Sequence, residues 1–349
     1  MLTQKQIDEI REHLDKAQNP LFFFDNDNDG LTSFLLLRRF ISRGKGIAVK
    51  GAHNLNKSFY RRVDELKPDY IFILDVPSVD PKFLKKANED NLPVVWIDHH
   101  NVEIPKNKEI SYYNPYHNDK TNEPVCYLCY KITGNKQDMW IAMIGCISDY
   151  YMPDFLDEFS EKYPELVKEN AKTPFDLVYC SEIGRIATIL DFSLKDTTTN
   201  VVSMLKFMMN AKGPMDILEE NPKTRRILER YNEINKRYQE LIRKAREKGK
   251  DKVVYFQYGG DLSLSANIAN QLSYEFPDKI IAVVYVNTDI VNISLRGKHV
   301  DIREFTLEAI KDIPGAVGGG HKHATGARMN VDDLPKFKKK LEELSDKIN

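Results

Sequence analysis

The sequence predicts an α/β protein: a parallel-sheet N-terminal domain, a helical connector and a smaller α/β C-terminal domain. Three stretches carry that expectation. Leu21–Asp25, Asp69–Asp75 and Leu92–His100 are each a run of large apolar residues closed by aspartate or histidine, and helical patterns separate them. Such runs suit strands buried on both faces, and their alternation with helices calls for right-handed crossovers in a parallel sheet.

Taken in order, residues 3–17 read as an amphipathic helix and not as a signal peptide. The strand over 20–25 runs into D-N-D-N-D-G-L-T-S, residues 25–33. Gly30 suits a tight turn, and Thr32 or Ser33 is the expected cap of a helix from about 31 to 43. A short strand is expected over 47–52 and a helix over 56–66. After the 69–75 strand, a helix over 81–91 begins on Pro81, a position where proline is tolerated. The strand ending in Asp98-His99-His100 follows, then a short strand over 109–115 and helices over 121–132 and 137–148. The last of these is mostly apolar and closes on Asp149. Residues 153–220 continue as helices. Residues 221–250 form a long charged helix with a basic surplus, read either as a solvated face laced with i,i+4 pairs or as a phosphate-contacting one.

A second α/β unit follows from residue 253. It has a strand over 253–258, a helix over 263–276, strands over 279–287 and 290–296, and a helix over 301–313. A glycine-rich turn, Gly318-Gly319-Gly320-His321, precedes a final charged helix over 332–348. The expected domains are therefore 1–200, 201–250 and 251–349.

In a parallel sheet all strands point one way. Asp25, Asp27, Asp29, Asp75, Asp98, His99 and His100 then meet at the carboxyl edge, where open α/β sheets bind ligands. Three carboxylates within five residues repel one another unless a cation sits among them, and hard oxygen donors suit Mg²⁺ or Mn²⁺. An EF-hand loop needs a glutamate at its twelfth position, which here is Leu36, and a helix in front of it. A solvated acidic turn would explain one D-x-D. It does not explain three successive strand ends that all carry Asp or His. Asp149 opposes the dipole at the end of its helix, a conflict that a nearby cation removes. Arg296, at a strand end, joins Gly318, Gly319, Gly320 and His321 in a candidate anion site, with the glycine N–H groups as a nest.

At 349 residues with 42% hydrophobic and 30% charged residues, the chain can bury a sizeable core without disulfides. A net charge of −1 excludes a globally basic nucleic-acid protein but leaves room for a local basic groove. Cys126 and Cys129 form a lone C-x-x-C among apolar neighbours and read as half-buried helix residues. No apolar run reaches membrane-span length, so a soluble, reduced, cytoplasmic protein is the expectation.

The ordered set D-N-D-N-D-G-L-T-S, Asp75, Asp98-His99-His100, Asp149 and G-G-G-H resembles the DHH phosphoesterases, and within them the branch with the DHH-associated C-terminal domain. Leu264-Ser-Ala-Asn-Ile-Ala-Asn and Ser294-Leu-Arg296 resemble that C-terminal domain as well. The resemblance covers nearly the whole chain. It implies two divalent ions, Mn²⁺ or Mg²⁺. Asp75 would bridge them, Asp27 would serve one, and Asp29, His99 and Asp149 would serve the other. It also implies that Asp98 orients a histidine, that His100 touches the scissile phosphate, and that Arg296, His321 and Gly318–Gly320 hold another phosphate or terminal nucleotide.

The implied activity is exonucleolytic release of mononucleotides from single-stranded DNA or RNA or from short oligonucleotides. The alternatives are hydrolysis of a cyclic dinucleotide or nucleoside bisphosphate, and a non-catalytic replication scaffold. No membrane partner is implied, and a homo-oligomer stays open. The G-G-G-H ending argues against the inorganic pyrophosphatase branch. One departure stands out: many members carry a histidine four residues before the first aspartate of the D-x-D pair, and here that residue is Phe23. Asp25 is the candidate replacement.

Overall fold

The computed structural model describes residues 1–51, 54–105 and 109–347. The ends of the expected 47–52 strand and 332–348 helix, Ala52 and Ile348, fall outside them. The chain divides into two compact units, residues 1–231 and 232–349. The boundary lies inside one long helix, Arg225–Arg246, so the stretch expected as a connector is shared between the units.

The first unit is built on five parallel strands: β1 (Pro20–Asp25), β2 (Lys45–Val49), β3 (Tyr70–Leu74), β4 (Val94–Ile97) and β5 (Ile110–Tyr113). They lie in the order β2-β1-β3-β4-β5. The side-chain alternation of the strands sorts the apolar residues onto two faces. Phe22, Phe24, Phe72 and Leu74 pack beneath one set of helices. Leu21, Phe23, Ile71 and Ile73 pack on the other side, against Phe59 and Phe83. Burial on both faces is why these strands read as unbroken apolar runs rather than as alternating ones.

The register carries the functional consequence. Phe24 pairs with Leu74, Leu74 with Ile97, and Ile97 with Tyr113. The next row along the sheet is therefore Asp25, Asp75, Asp98 and Asn114. The ladder continues into that row, with Asp75 N–H donating to Ile97 O and Asp98 N–H to Tyr113 O, both at 3.0 Å. On the other side Asp25 pairs with Val49.

Helices α1 (Gln4–Lys16), α2 (Asn28–Ile41), α3 (Val125–Thr133) and α4 (Met139–Ser148) supply buried residues to the Phe24 face. Helix α2 starts earlier than the sequence suggests. Its cap is Asp27, whose Oδ1 accepts from Gly30 N–H at 2.9 Å. Thr32 instead lies inside the helix, where its hydroxyl donates back to Asn28 O at 2.7 Å. Aspartate is as good a cap as serine or threonine, and it stands at the abrupt end of the strand.

The second unit holds β6 (Val253–Gly259), β7 (Ile280–Asn287), β8 (Ile290–Arg296), β9 (Val317–His321) and β10 (Ala324–Asn330), in the order β9-β10-β8-β7-β6. Strands β6 and β7 are parallel, joined through α5 (Ser265–Glu275), and the remaining pairs are antiparallel. Gly318–Gly320, expected as a turn, lies in edge strand β9. Pairing with β10 overrides glycine's poor strand propensity. The lack of side chains is used for packing: a Cβ on Gly318 would sit 2.8 Å from Ile310 Cδ1, and one on Gly320 would sit 2.5 Å from Ala324 O.

Gly30 is equally constrained, because a Cβ there would lie 2.5 Å from Asp25 O and 2.6 Å from Asp25 N. Backbone cannot yield as a flexible side chain can. Gly30→Ala is expected to destabilise the protein by about 1–3 kcal/mol in urea unfolding. Gly213→Ala, where nothing lies within 4 Å of the added methyl, should change stability by less than about 0.5 kcal/mol.

Candidate metal centre

Every group at the centre arrives from the end of a regular element. Asp25 closes β1, Asp27 caps α2, and Asp29 lies in the first turn of α2. Asp75 and Asp98 directly follow β3 and β4, and Asp149 is the C-cap of α4. Asp75 takes up φ 61°, and Tyr150, which follows Asp149, takes up φ 55°. Non-glycine residues rarely adopt that region, and such strain is held in place only where the surroundings over-determine it.

Three overlapping groups have ligand atoms within 4.8 Å of one another: Asp25/Asp27/Asp75, Asp29/His99/Asp149 and Asp75/His99/His100. His99 lies at the centre, with Nε2 3.3 Å from Asp75 Oδ1 and 3.9 Å from Asp29 Oδ2, and Nδ1 3.9 Å from Asp149 Oδ2. Asp75 Oδ1 and His99 Nδ1 are buried and have no hydrogen-bond partner among the described residues. Buried polar atoms of this kind are costly unless something else satisfies them. Oxygen-rich clusters with one imidazole suit divalent Mn²⁺ or Mg²⁺. The residues present therefore fit a divalent centre with two poles, Asp25/Asp27/Asp75 and Asp29/His99/Asp149, linked where His99 Nε2 lies 3.3 Å from Asp75 Oδ1.

The electrostatics agree. Withdrawal from water pushes the Asp27 carboxyl up to about 8; the charges of Asp25 and Asp29 add to this, and the Gly30 hydrogen bond opposes it. Asp75 is raised well above the ordinary carboxylate range by burial first and then by Asp29, Asp27 and Asp25. Burial and then Asp29 raise Asp149 to about 8 as well. Asp149 exposes 40% of its side chain, so water screens its charge more than that of buried Asp75.

Asp29 has a second task. Its carboxylate accepts from Val125 N–H at 2.8 Å and Cys126 N–H at 2.7 Å. It thereby caps α3, whose own N-cap, Pro124, offers no side-chain hydrogen bond. Each carboxylate oxygen has a further lone pair, so capping α3 leaves Asp29 able to bind a cation.

Behind the ligand groups lies a network the sequence reading only partly foresaw. Asp98 is fully buried, and its Oδ1 meets His100 Nδ1 at 2.8 Å. Tyr112 Oη donates to Asp98 Oδ2 at 3.4 Å, and Asn114 Nδ2 lies 2.9 Å from both Tyr112 Oη and His100 O. Asn28, between two of the aspartates, is tied by Nδ2 to Ser148 Oγ at 2.9 Å and Ala187 O at 2.8 Å, which links α2 to α4. Nothing local in the sequence marks Asn114; only the strand register places it in the aspartate row.

Other candidates fall elsewhere. Phe23 is fully buried two residues below that row and packs edge-on against Phe59 and Phe83. Tyr150 stacks on Phe175 at 4.3 Å, and Tyr151 packs against Tyr127. Cys126 and Cys129 are buried in α3. In the second unit, Arg296 Nε donates to Asn270 Oδ1 at 2.5 Å and its Nη1 to Leu295 O at 2.7 Å, while His321 ends β9. Several arginines of the long helix have partners in their own unit: Arg226 with Asp196, Arg230 with Lys195 O, and Arg246 with Glu275. These pairs favour the solvated-face reading of that helix.

Comparison with known proteins agrees with this geometry. Residues 21–148 match the profile of the DHH family, N-terminal domain, and residues 250–347 match the DHHA1 domain. Among solved structures, RecJ from Thermus thermophilus in complex with Mn²⁺ aligns with a TM-score of 0.68 at 15% identity, over 99% of this chain and 55% of that one. The chain thus spans about half the length of that relative. An exonuclease RecJ bound to manganese aligns with a TM-score of 0.65 at 15% identity, over 100% of this chain and 96% of that one. An exopolyphosphatase-related protein from Bacteroides fragilis aligns with a TM-score of 0.53 at 12% identity, over 99% and 98%. No curated protein matches in sequence. Fold and site define a protein of the DHH type with a candidate divalent-metal centre. The chain belongs to the DHH superfamily and carries a DHHA1 domain at its C-terminal end. Among the described residues, no helix is long and apolar enough to cross a membrane.

The raised carboxyls set a sign for the pH dependence. A carboxyl with a folded pKa above its unfolded value of 3.8 contributes stability below that value and loses it as pH rises through the folded pKa. The metal-free protein should therefore lose stability between about pH 4 and pH 8, and added Mn²⁺ should restore it. Asp75→Asn keeps the shape and tolerates positive φ. It should raise metal-free stability, flatten the loss and weaken the Mn²⁺ rescue. Thermal unfolding across pH, with and without Mn²⁺, checks this, and a wild-type profile parallel to that of the variant would contradict it.

Proposed function

We propose that the protein is a divalent-metal-dependent phosphodiesterase. On this reading it removes mononucleotides from an end of single-stranded nucleic acid or short oligonucleotides, with Mn²⁺ as the preferred ion and Mg²⁺ as a substitute. The observation that carries the reading is the overlap of three acidic and imidazole groups, Asp25/Asp27/Asp75, Asp75/His99/His100 and Asp29/His99/Asp149, with Asp75 Oδ1 and His99 Nδ1 buried and without a hydrogen-bond partner among the described residues. Ions bound there would lower the pKa of a water and offset charge on the phosphoryl oxygens.

The chain's own groups have separate roles in this reading. Asp27, Asp29, Asp75, His99 and Asp149 hold the ions, and Asp25 takes the place of the histidine that Phe23 replaces. Asp98 holds the His100 ring through Nδ1, and we assign that imidazole to the scissile phosphate. Tyr112 and Asn114 steady that pair. We assign Arg296, His321 and the Gly318–Gly320 edge to a second phosphate or terminal nucleotide. Support for terminal cleavage comes from fold likeness to a protein described as exonuclease RecJ bound to manganese.

Product analysis on 5′- and 3′-labelled oligonucleotides tests the reading, with a cyclic dinucleotide and a nucleoside bisphosphate run beside them. Stepwise mononucleotide release that chelation abolishes is the expected result. Turnover of only the cyclic or bisphosphate substrate would replace the exonuclease assignment, and absence of Mn²⁺ binding would favour a scaffold. His100→Ala is expected to lower kcat by about 10²–10⁴-fold while leaving Mn²⁺ affinity near wild type. A parallel loss of Mn²⁺ binding would place His100 among the ligands instead.

A further inference from the structure

Beside the metal centre, the first unit has a cavity of about 280 Å³ along the outer edge of β2. Among the described residues, strand β2 has a neighbour only on its β1 side, so its outward backbone groups have no strand partner. The segment from Ser58 to Arg62 forms one wall, and the helix Thr198–Met208 forms the other. The chemistry of the lining is divided. Phe59 on one wall and Val201, Val202 and Leu205 on the other supply the apolar surface. Lys50, Arg61 and Arg62 supply three cations, Ser58 and Thr198 supply hydroxyls, and no carboxylate among the described residues lines the space.

The cations are not neutralised in equal measure. Glu65 pairs with Arg62 at 2.6 Å and lies 3.8 Å from Arg61, so one carboxylate serves two arginines. Among the described residues, Lys50 Nζ reaches only a carbonyl, Asp196 O, at 3.4 Å. The position also matters. Lys50 follows Val49, which pairs with Asp25, and adjacent strands are about 4.8 Å apart. The cavity therefore begins one strand away from the Asp25/Asp27/Asp75 pole.

We propose that this cavity is a nucleotide subsite. It holds one nucleotide, with the base between Phe59 and Val202 and the phosphate against Lys50, Arg61 and Arg62. Apolar surface lined up beside three cations fits that amphipathic unit. An anionic peptide would satisfy the cations and leave the apolar side without a matching surface. The proposal deepens the phosphodiesterase reading and rests on it for the reason a nucleotide comes to this place. The occupant is either a nucleotide within the bound strand or a released mononucleotide.

The test uses the full chain in two variants, Arg61→Gln/Arg62→Gln and Val202→Glu. Val202 is 41% exposed, so the second change adds a carboxylate to the cavity at a position where folding tolerates it. Binding of fluorescent AMP and of a labelled pentanucleotide is measured in EDTA, which silences the metal centre. Hydrolysis of bis(p-nitrophenyl) phosphate with Mn²⁺ is followed in parallel. Both variants are expected to bind nucleotide at least about tenfold more weakly. For the pentanucleotide, the salt slope in the arginine variant should flatten by ~0.7 per contact removed. Hydrolysis of the small diester should stay within twofold of wild type.

Loss with AMP itself assigns the site to a free mononucleotide, and loss with the pentanucleotide alone assigns it to the strand. Unchanged binding of both ligands overturns the proposal. So does loss in the arginine variant without loss in Val202→Glu, which would mark a general basic patch. Wild-type failure to hydrolyse the small diester would sink the phosphodiesterase reading and leave the binding result to stand separately.

Discussion

The register of the parallel sheet is the constraint on which the site depends. Four neighbouring strands are in step at Phe24, Leu74, Ile97 and Tyr113, so the residue that follows each one falls in a single row. A shift of one residue in any pair would turn an aspartate to the other face and bury it among phenylalanines. The apolar packing that fixes the register is thus also what aims the carboxylates. Phe22 stacks on Phe72 at 5.0 Å and Phe24 on Phe34 at 5.0 Å, immediately beneath the charged row.

Gathering acids in this way works against stability in the metal-free protein, and the structure shows how the conflict is contained. Asp29 is anchored by two backbone N–H groups at the start of α3, where the helix dipole favours a negative charge. Asp27 receives one such bond from Gly30. Asp75 has no equivalent anchor for Oδ1 among the described residues and holds a positive φ. The least compensated carboxylate is the one placed in both the Asp25/Asp27 and the His99/His100 groups. A bridging cation would relieve repulsion most effectively at that position.

Much of this was legible in the sequence because its signals are local. An apolar run that ends in Asp, Asp or Asp-His-His announces a strand and its terminus together, and the order of such ends implies their meeting. Other features are set by partners distant in sequence. Asn114 has no signature of its own and gains its place from pairing with β4. The capping of α3 by Asp29 joins residues almost a hundred positions apart. Gly318–Gly320 reads as a turn because glycine is a poor strand former, yet Ala324–Asn330 recruits it into a ladder. Thr32 reads as a cap because its type is a common one, yet Asp27 stands closer to the strand end and takes the role.

Phe23 stands where the resemblance to the DHH phosphoesterases leads one to expect a histidine, and it has a consequence for the proposed metal centre. A histidine at this place in the sequence would contribute a neutral nitrogen donor, whereas Phe23 joins the core beside Phe59 and Phe83. The nearest group able to take over is Asp25, which already shares a cluster with Asp27 and Asp75. That exchange replaces nitrogen with oxygen and adds a negative charge to one pole. An all-carboxylate pole discriminates against softer, imidazole-preferring metals and in favour of Mn²⁺ or Mg²⁺. The other pole keeps His99. Two ions held as proposed would sit in chemically unequal surroundings, and the oxygen-only pole would be the one beside β2 and its cationic cavity.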